Sequence, residues 1–301
     1  MNAVIFPGQG AQYAGMGKSL YDNYPEAKNV FCLIDGILGF KLSEKCFNLQ
    51  TGDLKDTAIQ QLAILAVSLA AFEIFKKKNI KVSCLSGLSL GEYSCLYAGE
   101  VLSLEGVVNL VKERGVAMKE ASSINPSTMF AVIGSSRERL EEISKKEEFY
   151  IANLNSPKQI VISLAQDNKE ETRMKLESEG LRVVELVVSG GFHSPFMDPA
   201  RKRLAGAVSE MDFKESVIPI VSNFTGVAHT KSTEVKENLL AQLVSPVLWE
   251  ECVKLMVQDN INIFFEVGPS KILKGLVRKI APSIKVINLE KQGDFESLID
   301  N

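Results

Sequence analysis

The stretch that most constrains this chain runs from Val82 to Ser94, and its centre reads Gly87-Leu-Ser-Leu-Gly-Glu92. A mostly apolar run from Val82 feeds a small-residue turn and then a helical pattern, which is the strand-turn-helix setting that a G-x-S-x-G nucleophile elbow requires. Ser89 falls at the tip of that turn. A strand that turns directly into a helix brings backbones too close for a Cβ at the flanking positions, and Gly87 and Gly91 answer that demand. The serine hydroxyl is then exposed, with the Leu90 amide and the helix N-terminus aimed at any oxyanion formed beside it. A bare G-x-S-x-G arises by chance about 0.1 times in a chain of this length. Context therefore decides between an elbow and two glycines that merely permit tight packing of strand on helix.

The 301 residues, 46% of them apolar, suffice for a large domain carrying a smaller one. A net charge of -3 and a pI near 5.7 lack the basic footprint that a nucleic-acid backbone needs, so no nucleic acid is expected as a partner. No apolar run is expected to reach the length of a membrane span, and the N-terminus lacks the basic start of a signal peptide; a cytoplasmic protein with no membrane contact is expected. The five cysteines form no C-x-x-C pair and the histidines number two, which argues against a disulfide framework and against a zinc site. Cys84 and Cys95 flank the elbow as rival nucleophiles, but their places in the strand and helix patterns favour burial.

Along the chain, Ala3 to Phe6 reads as a strand that breaks at a glycine-rich loop. Residues 56 to 78 read as a long apolar helix ending in three lysines, which suit the negative end of its dipole. Residues 103 to 120 read as another helix. From 127 the texture changes. Thr128 to Ile133 is a strand, Ser135 with Glu138 forms a capping box, Tyr150 to Ala152 and Gln159 to Ser163 are strands around Asn153-Leu-Asn-Ser-Pro157, Asp167 with Glu170 opens a second charged helix, and Leu181 to Val188 is a fourth strand. That βαββαβ order is the ferredoxin-like arrangement. Strand and helix alternate again after Gly190-Gly191: strands near 217 to 222, 262 to 267 and 284 to 289, and helices near 232 to 243, 247 to 258 and 270 to 280. The small unit thus reads as an insertion, with residues 1–125 and 190–301 forming the α/β domain and 126–189 the subdomain.

A serine needs a base within hydrogen-bond reach, and only His193 and His229 supply an imidazole. His193 lies between a strand and a helix, where α/β enzymes keep their chemistry, so it is the expected base. His229 reads as a solvated loop residue.

Taken together, Phe6-Pro-Gly-Gln-Gly-Ala-Gln12, Gly87-Leu-Ser-Leu-Gly-Glu92, Arg114-Gly-Val-Ala-Met118, Gly191-Phe-His-Ser-Pro195, Gln242-Leu-Val-Ser-Pro-Val-Leu-Trp249 and Glu266-Val-Gly-Pro269 resemble the malonyl-CoA:acyl carrier protein transacylase family over essentially the whole chain. The resemblance implies a hydrolase-like α/β domain with an inserted ferredoxin-like subdomain, in agreement with the organisation above. It implies that Ser89 takes a malonyl group from coenzyme A, with His193 as base and then acid, Gln242 orienting the histidine, and the amides of Gln9 and Leu90 as the oxyanion hole. Arg114 matches the family's carboxylate-binding arginine, whose planar fork holds a carboxylate through two hydrogen bonds as a lysine cannot. Phe192, Met118 and Asn155 are the implied substrate contacts, with Gln159 shaping the cleft. The implied partners are malonyl-CoA and an acyl carrier protein, with no metal or bound cofactor and a monomeric chain. Leu88 departs from the family, which usually has His there; the base is expected to be unaffected, because neighbours of the elbow serine point away from its direction. A serine esterase, which predicts an acidic third triad member and gives no reason for Arg114, and a silent carrier-protein docking domain are the rival readings.

Overall fold

The computed structural model describes residues 1–48 and 56–298. Strand β1 (Asn2–Phe6) is buried over its last four residues and stops at Pro7, which has no N–H to give a ladder. Helices α1 (Lys18–Asn23), α2 (Pro25–Leu38) and α3 (Leu42–Phe47) follow, none of them anticipated above. Helix α4 (Thr57–Lys76) starts at Asp56, whose carboxylate accepts the Ala58 and Ile59 amides at 2.9 and 3.4 Å. Contrary to expectation, α4 is long and apolar enough to cross a membrane by length and composition; 83% of its apolar window is buried within the protein, which makes it the central core helix. Strand β2 (Cys84–Gly87), α5 (Gly91–Ala98) and α6 (Leu104–Ile124) complete the first half.

Next come β3 (Ser127–Ile133), α7 (Arg137–Ser144), β4 (Phe149–Ser156), β5 (Gln159–Ala165), α8 (Lys169–Ser178) and β6 (Arg182–Glu185). They form an antiparallel sheet in the order β4-β5-β3-β6, the ferredoxin-like topology. Local details differ from the sequence reading. Ser136, not Ser135 with Glu138, caps α7 by accepting the Arg139 amide. Asp167 falls in a single 3₁₀ turn ahead of α8. Strand β4 runs on through Asn153 to Ser156, all buried, with Asn153, Leu154 and Ser156 paired with β5 and Asn155 at a register shift, where a connection was expected. Strand β6 stops at Glu185; the Leu186 N–H still donates to the Met129 carbonyl at 3.0 Å, and Leu186 to Val188 run on to line the cleft described below.

The chain returns through α9 (Asp198–Glu210), β7 (Ile220–Val221), β8 (Ala228–His229), α10 (Ser232–Gln242), α11 (Trp249–Gln258), β9 (Ile263–Val267), α12 (Ile272–Ile280), β10 (Lys285–Leu289) and α13 (Gln292–Glu296). The large sheet has the order β10-β9-β1-β2-β7-β8 and is parallel except for β8, which pairs antiparallel with β7. Helix α4 covers one face, where Phe72 packs on Phe6 and Phe75 on Phe265 with ring centroids 5.7 and 5.1 Å apart. On the other face Trp249, Val253, Met256, Leu273 and Val277 bury Ala3, Ile5 and Phe264. Since β1 and β2 are parallel neighbours with Phe6 opposite Gly87, the loop after β1 and the elbow after β2 open side by side at the carboxyl edge of the sheet. Val247 ties the two sheets together: its N–H donates to the Ala152 carbonyl and its carbonyl accepts the Leu154 N–H, each at 2.9 Å. A cleft is left between them.

Candidate active site

Strand β2 ends at Gly87 and α5 begins at Gly91, so three residues make the turn. Ser89 holds φ +52°, a left-handed conformation that costs a non-glycine residue on the order of 1 kcal/mol. The two glycines are required by close approach: a Cβ on Gly87 would lie 2.1 Å from the Gly91 carbonyl carbon, and one on Gly91 would lie 2.1 Å from the Phe6 oxygen. The strained Ser89 unit is gripped from both sides. Its N–H donates to Asn223 Oδ1 at 2.6 Å, and its carbonyl accepts Gln242 Nε2 at 3.2 Å and the Glu92 amide at 3.1 Å.

Ser89 Oγ lies 2.7 Å from His193 Nε2, and His193 Nδ1 lies 2.7 Å from the main-chain carbonyl of Gln242. A carbonyl only accepts, so Nδ1 carries the proton and the Nε2 lone pair faces the serine hydroxyl. His193 is 4% exposed. Burial, with the nearby Arg114 charge as a lesser cause, pushes its pKa down to about 4, so the ring is neutral and basic at pH 7. Gln242 thus holds the histidine through its backbone, while its side chain turns the other way to Ser89 and to Glu92 Oε2 at 2.7 Å.

Arg114 sits mid-way along α6 and is 1% exposed. Its Nη1 donates to Gln61 Oε1 on α4, its Nη2 donates to Ser89 Oγ at 3.0 Å, and the guanidinium lies over the Tyr93 ring, 4.9 Å from its centroid. Its Nε is buried without a partner among the described residues. No carboxylate among the described residues lies within ion-pair distance of it. Buried cations are normally paired.

The amides of Gln9 and Leu90 donate to no protein acceptor among the described residues. Gln9 borders the cleft, its side chain held by Gln60 Oε1 at 2.7 Å, and Leu90 opens α5. The cleft is a cavity of about 300 Å³ whose walls include Ser89, His193, Met118 and Phe192 from the large unit and Met129, Asn155 and Val161 from the small one. Asn155 Oδ1 is buried there without a partner among the described residues. Leu88 lines the same cavity, so it is not turned wholly away from the serine as expected.

Gln159 lies outside the cavity and instead accepts Lys279 Nζ at 2.9 Å, joining β5 to α12. His229 is not solvated either: it lies in β8, with Nε2 2.9 Å from Thr225 Oγ1 and Nδ1 3.0 Å from Glu234 Oε2. Cys84 and Cys95 are buried, and burial pushes the Cys84 thiol up to about 12 and that of Cys95 well above its ordinary value, which removes both as nucleophiles. Three residues given no role above belong to the site: Gln61, Glu92 and Asn223. Glu92 stood in the elbow motif; Gln61 and Asn223 carried no local signal.

The acyl transferase domain family matches residues 4–289. The malonyl CoA-acyl carrier protein transacylase of Bacillus subtilis is 38% identical over 99% of this chain and 96% of its own length. Among solved structures, the malonyl CoA-acyl carrier protein transacylase of Clostridium perfringens superposes with a TM-score of 0.94 at 34% identity, covering 99% of this chain and 96% of that one. A malonyl-transacylase solved in complex with its type II polyketide synthase acyl-carrier protein superposes with a TM-score of 0.94 at 28% identity, covering 100% and 99%. With a serine–histidine pair at a strand-turn-helix elbow and likeness of this extent, the chain belongs to the malonyl-CoA:acyl carrier protein transacylase family of acyl transferase domains.

Proposed function

We propose that this chain is an acyl-carrier-protein S-malonyltransferase working through a malonyl ester on Ser89. His193 Nε2 takes the hydroxyl proton as Ser89 Oγ attacks the thioester carbonyl of malonyl-CoA. The oxyanion faces the Gln9 and Leu90 amides, the C–S bond breaks, and the leaving thiolate takes the proton from His193. In the second half the phosphopantetheine thiol of the carrier protein gives its proton to His193, attacks the ester, and the returning proton restores Ser89. Arg114 holds the free carboxylate of the malonyl group throughout, with Met118, Phe192 and Asn155 shaping the acyl end of the cleft.

One observation carries this reading: a fully buried guanidinium donates to the nucleophile and has no carboxylate partner among the described residues. A cation so placed is matched by a substrate that brings its own anion, which a malonyl thioester does and a neutral ester does not. The esterase reading also lacks its acidic triad member, since His193 Nδ1 meets a carbonyl. The proposal extends to the setting: a monomer in the cytoplasm supplying fatty acid biosynthesis, with residues 1–125 and 190–301 as the catalytic domain and 126–189 as the subdomain that closes the cleft. Polyketide supply is the second reading, favoured by the likeness to the carrier-protein complex. Intact-mass measurement after mixing with malonyl-CoA tests the chemistry, with one malonyl adduct expected on the wild type and none on Ser89→Ala. A chase with fatty-acid and polyketide carrier proteins separates the two settings. An unmodified wild type overturns the transferase.

A further inference from the structure

We infer that Glu92 is the positioning residue that aligns nucleophile and base together, through hydrogen bonds that its carboxylate accepts from Gln242 and Asn223. One oxygen does this. Glu92 Oε2 accepts Gln242 Nε2 at 2.7 Å and the Asn223 N–H at 3.0 Å. Each partner then reaches the reacting pair by a separate route. Asn223 presents Oδ1 to the Ser89 N–H at 2.6 Å. Gln242 presents its amide to the Ser89 carbonyl at 3.2 Å and its own carbonyl to His193 Nδ1 at 2.7 Å.

Three features show that this is a device and not incidental packing. Both reacting residues hold left-handed backbones, Ser89 at φ +52° and His193 at φ +56°, so outside contacts must hold them. The partners come from distant parts of the chain, Asn223 from the turn after β7 and Gln242 from the end of α10, and they converge on one carboxylate. Glu92 itself is buried and is absent from the cavity wall, so it does not touch substrate. A triad would place an acid on His193 Nδ1; here the acid stands one residue behind, and the carbonyl of Gln242 takes that place. Hydrogen-bond acceptance is the requirement, and a neutral glutamine oxygen supplies it as well as a carboxylate.

The inference rests on the malonyl-transfer reading, and the experiment separates the two. Single-turnover acylation by malonyl-CoA is followed in wild type, Glu92→Gln, Glu92→Ala and Asn223→Ala, with melting temperatures recorded alongside. A wild type that forms no malonyl adduct refutes the transfer reading, and the same four proteins are then compared by the reaction of Ser89 with a fluorophosphonate, which needs the same aligned pair. Glu92→Gln is expected close to wild type, because its oxygen still accepts both N–H groups. Glu92→Ala is expected to acylate about 10²-fold more slowly at an unchanged half-saturating malonyl-CoA concentration, since a misplaced nucleophile costs on that scale. Asn223→Ala, which strands the Ser89 N–H and otherwise loses a long 3.9 Å contact to Cys252 Sγ, is expected to lose roughly 10-fold and serves if Glu92→Ala does not fold. Glu92→Gln as slow as Glu92→Ala assigns the effect to charge and overturns the inference. So does Asn223→Ala reacting at the wild-type rate, or a loss confined to half-saturation.

Discussion

Replacing Arg114 with alanine tests the substrate reading most directly. The guanidinium is buried, lies over Tyr93 and gives one N–H to Gln61 and one to Ser89 Oγ, with Nε unpartnered among the described residues. In Arg114→Ala the malonyl carboxylate must leave water for a site with no counter-charge. Deleting one partner of a desolvated charge pair costs about 3 to 5 kcal/mol, which at about 1.4 kcal/mol per decade is roughly two to four decades of kcat/KM. Acetyl-CoA has no carboxylate to pair, and its loading should stay level or rise. Arg114→Lys should recover little, because an ammonium cannot meet Gln61, the hydroxyl and a carboxylate in one plane. The assay is the ratio of malonyl to acetyl adduct on Ser89 by mass spectrometry, with melting temperature as a check, since the vacated volume against Tyr93 will itself destabilise the core. A ratio unchanged in both variants refutes the reasoning and places the carboxylate elsewhere.

Ser89→Ala should abolish the adduct while leaving the melting temperature near wild type, and peptide mapping of the wild-type adduct to Cys84 or Cys95 would contradict the elbow. His193→Ala should slow acylation by about 10² to 10⁴, whereas His229→Ala should acylate as wild type, its contacts lying with Thr225 and Glu234. Leu88→His should change transfer only moderately, since Leu88 lines the cavity without touching the serine–histidine pair by hydrogen bond; loss of all activity in a folded protein would show that the apolar wall is required. The pH profile of kcat/KM should have its acid midpoint near the His193 value of about 4, because only the protonated ring cannot act as base. Stability follows a different window. His193 in the unfolded chain binds a proton near its ordinary 6.5, and the native ring refuses it until about 4, so this contribution is complete above 6.5 and is lost as pH falls toward 4; His193→Ala should flatten the melting temperature over that interval.

How much was legible in the sequence follows from the range of each interaction. The elbow was legible because its constraint is local: Gly87 and Gly91 are dictated by backbone atoms that meet wherever a strand turns into a helix within five residues. His193 followed from scarcity of imidazoles. Arg114 was ambiguous, because a mid-helix arginine reads the same whether solvated or buried. Its burial is set by the approach of α6 to α4, where a Cβ on Gly115 would lie 2.7 Å from the Ala58 Cα. The adjacent glycine was the available signal. Helix α2 went unread although its signals were present: Pro25 in its first turn, buried Ala27, Val30, Phe31, Ile34 and Leu38 at helical spacing, and Gly39 at φ +73° after its end. Strand β8 could not be read, since two residues carry no period. The Glu92 hub lies at the far limit. Glu92 stands 131 residues from Asn223 and 150 from Gln242, and nothing near any of them calls for the others. Their meeting depends on β7 lying beside β2, with Leu85 opposite Ile220 and Ser86 opposite Val221. That register delivers Asn223 to the elbow two residues beyond the ladder, and a shift by one residue would turn its side chain to the other face of the sheet. Reactive groups can be named from short spacings, but their alignment is a property of strand register, and so mutations that preserve every motif yet loosen the β2–β7 pairing should slow acylation before they unfold the chain.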